Sequence, residues 1–333
     1  MCGLVGIINK KDDSRSMFDG LKIRDSFVKM TKTANTRGGH STGFAIIQRD
    51  GDYLLCKRNQ DAYSFFLQRS VLSALDFIDI SETSAIIGHT RYSTQGSPEN
   101  NENNHPIRAN NTIGTHNGSV WNDDELFEKF GLERFAEVDS EVLFRLYEYS
   151  DNFKDYIEKL KLVKGNVSMV WQDLEFPEYV YLFKGNNPLE IAYIPSLKCL
   201  AYGSTREIVK SGFSDELRWL KVKPNTLLRV NTNTLKVNRT DARISKSANR
   251  YFRFDSKIGA SVRVKPKSCK PKRVPISLDD ETIKRFVPRY SYRDNIDDVV
   301  NDILERDVPQ QNLPFNTRQS VKANDGSTIK KVK

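Results

Sequence analysis

From residue 166 to 238 the chain is a succession of short β-prone runs. "NVSMVWQ", "YVYLFKG", "IAYIP", "LKCLAYGS" and "NTLLRVN" follow one another, punctuated by Asn, Gly and Pro. One short helical stretch, near 205–212, interrupts them. Strands this short are not stable alone and must pair into sheets with a buried face. The first half adds more of the same. "GLVGIIN" (3–9), "SAIIGHTRYST" (84–94) and "NTIGTHNGSV" (111–120) read as strands. "TGFAIIQ" (42–48) and "YLLCKR" (53–58) read as a hairpin around "RDGD". Helical spacing marks 16–35, through Met17, Leu21, Phe27, Val28 and Met30, and again 61–79 and 139–149. Asp139 or Ser140 is placed to cap the last of these. Many strands with a few interleaved helices predict an α+β fold of two packed sheets covered by helices.

Composition excludes several classes. Hydrophobic residues make up 38% and charged residues 29% of the 333. No run reaches the ~18 apolar residues of a membrane span, and "KKDDSRS" breaks the first apolar run at once, so no secretory leader is expected and a cytoplasmic location is. The four cysteines (2, 56, 199, 269) form no CxxC pair, and the four histidines (40, 89, 105, 116) form no HxH or HExxH pair. Free thiols and no metal or cofactor are the expectation.

Charge divides the chain. Residues 1–242 hold 31 Lys+Arg against 32 Asp+Glu, whereas 243–333 hold 21 against 11. The second part contains the Pro-interrupted "RVKPKSCKPKRVP" (263–275), one helix candidate at 295–307 and a polar end. It reads as a mostly irregular basic extension with one helix, following a domain over 2–242.

Cys2 carries the sharpest chemical signal. With Met1 removed, one residue would hold both a thiol, ordinarily titrating near ~8.5, and an α-amine, near ~7.7–8.0. Such a residue supplies its own nucleophile and base. The motifs downstream give this weight: "CGLVG" (2–6), "RGGHSTG" (37–43), "GHTRYSTQG" (88–96), "NNHPI" (103–107), "HNGSVWN" (116–122) and "VDSEV" (138–142). In this order they resemble the class II glutamine amidotransferases, the N-terminal-cysteine branch of the Ntn hydrolases, over roughly residues 2–240. The glutaminase domains of glucosamine-phosphate synthase and phosphoribosyl-pyrophosphate amidotransferase are the most similar in flavour.

The resemblance implies a four-layer αββα sandwich and a substrate, L-glutamine. It implies Cys2 as nucleophile and an oxyanion hole from the Asn117 side chain and the Gly118 N–H. Arg91 matches the family's carboxylate-binding arginine, whose planar fork suits that group. Asp139 matches the position that meets the substrate ammonium. Thr94, Gln95 and His105 fall at substrate-lining positions, and Arg37 and its loop shape the site. Residues 243–333 are too short for a sugar-isomerase, phosphoribosyltransferase or ATP-pyrophosphatase domain, so the ammonia is expected to pass to a separate synthase. Two other readings stay open here: a γ-glutamyl amidohydrolase acting on a modified glutamine, and a nucleic-acid-binding protein using "RYFRF" and the basic segment beside it.

Overall fold

The structure is a computed structural model and describes residues 2–214, 216–244, 252–255 and 260–263. The helix candidate at 295–307 lies outside the described residues.

The predicted strands, with three short ones that the sequence pattern did not mark (Ile107–Ala109, Arg218–Leu220 and Val237–Asp241), form two antiparallel sheets. Sheet one has the order β11-β9-β10-β1-β4-β2-β3. Its strands are β1 (Gly3–Asn9), β2 (Ser41–Gln48), β3 (Tyr53–Arg58), β4 (Thr83–Arg91), β9 (Glu190–Ile194), β10 (Cys199–Gly203) and β11 (Arg218–Leu220). Sheet two runs β13-β12-β8-β7-β6-β5. It comprises β5 (Ile107–Ala109), β6 (Thr112–Val120), β7 (Gly165–Asp173), β8 (Tyr179–Lys184), β12 (Thr226–Asn231) and β13 (Val237–Asp241). A two-stranded pair, Phe252–Asp255 with Ala260–Arg263, stands apart from both and adds regular structure to a stretch expected to be irregular.

Three apolar clusters define four layers. The first packs Ile23, Phe27, Met30 and Ala34 of α1 (Met17–Ala34) on sheet one, with α2 (Ala62–Phe65), α3 (Arg69–Ala74) and α7 (Arg206–Gly212) beside it. The second packs α4 (Asp123–Phe130), α5 (Glu141–Glu148) and α6 (Phe153–Leu160) on sheet two. The third lies between the sheets and contains Leu4, Ile8, Ala85, Ile87, Ile113, Val170, Leu200 and Tyr202. The outcome is an αββα sandwich, as the sequence implied. Each fully buried large apolar side chain contributes roughly 1.5–3 kcal/mol.

Local sequence explains the elements. In α1, Ile23, Phe27, Met30 and Ala34 recur at helical spacing on one buried stripe. Ser16 and Asp19 form a reciprocal capping box at its start. The single helix expected over 61–79 is instead α2, α3 and a 3₁₀ turn at Leu75–Phe77. Asp61 caps α2 at Tyr63 and Ser64, and a fresh helix then starts at Arg69. Two helices, α4 and α6, went unread in the sequence. Both have only eight residues and few apolar positions with which to show a period.

Candidate active site

Strand parity brings the site together. Side chains alternate across a strand. On β1, Leu4 and Ile8 face the layer between the sheets, so Cys2 shares their side. On β4, Ile87 faces that layer, and with it His89 and Arg91. On β6, Ile113 does, and with it Thr115 and Asn117. On β10, Leu200 and Tyr202 do, and Ser204 follows. Gly3 pairs with Thr90, so the next step along the ladder sets Cys2 opposite Arg91. Four strands from two sheets thus deliver Cys2, Arg91, Asn117 and Ser204 to one rim of the sandwich.

Cys2 is half-buried. Its Sγ accepts the Tyr92 N–H at 3.4 Å and lies 3.6 Å from the Tyr92 carbonyl. Its own carbonyl accepts Arg37 Nε–H at 2.9 Å. Burial pushes the thiol up, opposed by the Tyr92 backbone bond and the nearby Arg91 charge. Gly3 lets the strand come in close: a Cβ there would sit 2.5 Å from Thr90 Oγ1 and 2.9 Å from Ala34 Cβ.

Asn117 is 2% exposed. Its Nδ2 lies 3.4 Å from Ser204 Oγ, and its carbonyl accepts Asn187 Nδ2–H at 2.8 Å. Gly118 has φ +146, which L side chains avoid, and a Cβ there would fall 1.7 Å from the Asn166 carbonyl oxygen. The glycine is therefore demanded by both conformation and space.

Asp139 is 6% exposed, and its Oδ2 accepts the Val120 N–H at 2.6 Å. Burial pushes this carboxyl up to about 6, against the pull of the Val120 bond, Ser140 and Arg91. It does not cap α5, contrary to the sequence expectation. Ser140 is the N-cap residue, it has helical dihedrals and its side chain caps nothing. The Ser140 hydroxyl instead lies 2.8 Å from His116 Nδ1.

Arg91 donates from Nη1 to Asn104 Oδ1 at 2.9 Å and from Nη2 to the Gln95 and Gly96 carbonyls at 2.5 and 2.9 Å. Burial lowers its pKa, and Cys2 and Asp139 oppose the fall. The segment after β4 is organised from the "RGGHSTG" loop, where His40 Nδ1 accepts the Ser93 N–H at 3.1 Å and its ring stacks on Tyr92.

The remaining expected residues are less central. Thr94 is exposed in the loop after β4. The Gln95 side chain donates to the Glu137 carbonyl at 2.9 Å, so in this arrangement it anchors a loop. His105 is buried beneath the site, its ring 4.3 Å from that of His89, and burial holds both imidazoles neutral. Among the described residues, neither His105 ring nitrogen has a hydrogen-bond partner. Lys57 lies in the same region, donating to the Asn104 and Pro106 carbonyls, with its pKa pushed down to about 7 by burial. Ser204, Asn187 and Asn104 were not expected. Asn104 lies within "NNHPI", whereas Ser204 showed only as the end of a strand. Among the described residues no group of three or more His, Cys, Asp or Glu is arranged to hold a metal.

Comparison with known proteins bears out the resemblance to the class II glutamine amidotransferases and the sandwich that goes with it. A Staphylococcus aureus glutamine–fructose-6-phosphate aminotransferase is 29% identical over 198 residues, covering 57% of this chain and 30% of its own length. The 7-cyano-7-deazaguanine synthase of Saccharolobus solfataricus is 27% identical over 240 residues, covering 71% of this chain and 49% of its own. The chain thus spans half or less of these curated relatives. Among solved structures, the glutamine phosphoribosylpyrophosphate amidotransferase of B. subtilis superimposes with a TM-score of 0.51 at 20% identity, over 72% of this chain and 49% of its own. A structure described as the allosteric regulatory enzyme of purine biosynthesis gives 0.57 at 19%, over 75% and 50%. No family model matches the chain. No helix among the described residues is long and apolar enough to cross a membrane.

Proposed function

We propose that the protein hydrolyses the side-chain amide of L-glutamine and releases ammonia for a separate synthase. The observation that carries this is the meeting at one rim of Cys2, Arg91, Asn117, Gly118 and Asp139. They offer a nucleophile, a cation, two N–H donors and an anion for a substrate with complementary groups.

With Met1 removed, the Cys2 α-amine takes the thiol proton and the thiolate attacks the amide carbon. The carbonyl oxygen becomes an oxyanion, held by Asn117 Nδ2 and the Gly118 N–H. A preorganised donor of this kind is worth ~2.7–4 kcal/mol of barrier. The C–N bond breaks as the α-amine returns its proton to the leaving nitrogen. Ammonia departs and a γ-glutamyl thioester remains. Water, deprotonated by the same amine, attacks the thioester and frees glutamate and the thiol. Arg91 meets the substrate carboxylate and Asp139 its ammonium, so free glutamine is favoured over a peptide-bound one.

Use of the ammonia in a synthetic reaction is supported by the names of the relatives, of which one is an aminotransferase and one a synthase. The basic segment after residue 243 is the proposed docking arm.

The test is glutamine hydrolysis by wild type and Cys2→Ala, with the intact mass of the purified protein. Activity that needs Cys2 in a chain beginning at Cys2 is expected. Hydrolysis by a protein that retains Met1 would sink the mechanism. Turnover of a γ-glutamyl conjugate but not of glutamine would move the assignment to a modified substrate. Deleting 243–333 should spare hydrolysis and abolish ammonia transfer to the partner.

A further inference from the structure

Ser204 is fully buried and stands just past the end of β10. The ladder between β1 and β10 pairs Val5 with Gly203, so the next pair is Leu4 and Ser204. A regular ladder would join these two by both backbone groups. Here the Ser204 N–H donates to the Leu4 carbonyl at 3.0 Å, but the Leu4 N–H donates at 2.8 Å to the Ser204 hydroxyl. The hydroxyl has replaced a main-chain carbonyl and is turned into the layer between the sheets. There it lies 3.4 Å from Asn117 Nδ2.

We infer that Ser204 is a positioning residue, whose hydroxyl aims the Asn117 amide at the oxyanion and ties it to the strand that bears Cys2. The inference rests on the glutaminase reading above. An asparagine NH2 has two N–H donors. With one on Ser204, the other is free for the reacting carbonyl oxygen. The terminal torsion of asparagine is broad and nearly two-fold. Without a fixed acceptor, the side chain can turn its own carbonyl oxygen toward the place where negative charge develops. The Asn117 main chain is fixed separately. Asn187 Nδ2–H holds its carbonyl at 2.8 Å, and Ser168 Oγ–H holds the Asn187 carbonyl at 2.6 Å. Ser204 is thus the side-chain half of a two-part mount. Because it also holds Leu4, two residues beyond the nucleophile, one hydroxyl sets the spacing between sulfur and oxyanion donor.

Ser204→Ala separates this from a merely structural role. Arg91 and Asp139 still hold the ends of glutamine, so KM should stay within about twofold while kcat falls about 10- to 100-fold, less than loss of a donor outright. Ser84→Ala is the control: its buried hydroxyl also bridges backbone and side chain, on the Ile47 carbonyl and Gln172, far from the rim. It should leave both constants unchanged. A second readout needs no turnover. In protein labelled with 15N-asparagine, the Asn117 side-chain amide should shift and exchange with solvent faster in Ser204→Ala. An unchanged kcat in Ser204→Ala of an active enzyme, or an unmoved Asn117 amide, overturns the inference. Absence of glutamine turnover by the wild type overturns the functional reading instead, and the amide signal still decides the role of Ser204.

Discussion

The two walls of the site are prepared to different degrees. The wall from sheet two holds Asn117 and Asp139, both buried, and the half-buried Gly118. Asn117 is mounted from both its main chain and its side chain, Gly118 is confined by the Asn166 carbonyl, and Asp139 is set by the Val120 N–H. The wall from sheet one carries Cys2 and Arg91. Arg91 spends three of its five N–H donors on Asn104, Gln95 and Gly96. A bidentate grip on a carboxylate therefore requires Arg91 to exchange partners, and the loop after β4 to give way. On the proposed assignment, the groups that would stabilise developing charge are fixed in advance, where reorganisation would be costly. The groups that would recognise the substrate ends tolerate adjustment, driven by the binding free energy of the substrate.

Four experiments bear on this contrast, in order of expected effect. Gly118→Ala attacks the rigid wall at its tightest point. It should lower kcat by about 10³-fold or more, and positive-φ strain alone should cost about 1–3 kcal/mol in a denaturant titration. Near-normal activity would show that this wall yields, and the contrast would collapse.

Arg91→Lys acts on the adjustable wall. A point charge on a flexible stem cannot reproduce the fork. KM for glutamine should rise about 100-fold with a smaller change in kcat, and an equal fall in kcat would place Arg91 among the rigid groups.

Asp139 gives a pH signature. The ammonium needs the ionised carboxylate, so KM should climb as pH falls through about 6, the value to which burial has raised this group. The linkage runs the other way for stability. The unfolded carboxyl ionises near ~3.9, so folding is favoured below that value and the advantage is lost as pH rises to about 6. Asp139→Asn should therefore abolish the acid limb of the KM profile, hold KM above pH 6 at the high value that wild type reaches only in acid, and stabilise the fold at pH 7 by about 1–3 kcal/mol. A less stable Asp139→Asn protein would contradict the assigned burial cost.

Gln95→Ala is the mildest. Its carbonyl still faces Arg91, and the side-chain bonds lost are those to the Glu137 carbonyl and, at 3.4 Å, to Asp123 Oδ2. A change of about 2- to 5-fold in KM is expected for one short and one long hydrogen bond away from the substrate. A large loss would mean that Gln95 touches the substrate directly.

Much of this architecture is legible in the sequence. The longer strands, the hairpin at Asp50-Gly51 and α1 follow from period and turn chemistry, whereas β5, β11 and β13 are too short or too polar to show a pattern. The errors have physical causes. The 61–79 stretch carries a helical pattern, yet Asp61 caps one helix and another starts at Arg69. Asp139 has the right residue type and place for a helix cap, and burial beside Val120 diverts it. Ser204 is a common residue at a strand end, and its spacing to Asn117 along the chain says nothing of a hydrogen bond between them.

The sequence by itself determined the chemistry available: a thiol at position 2, an arginine after one strand, Asn-Gly after another, an acid before a helix. Those are properties of residue type and order, and they survive without coordinates. Tertiary structure alone decided that four strands of two sheets share one rim, that Asp139 loses solvent, and that one hydroxyl ties β1 to the Asn117 amide. Such relations depend on which face of each strand is turned inward. That is settled only when both sheets bury their apolar sides against each other.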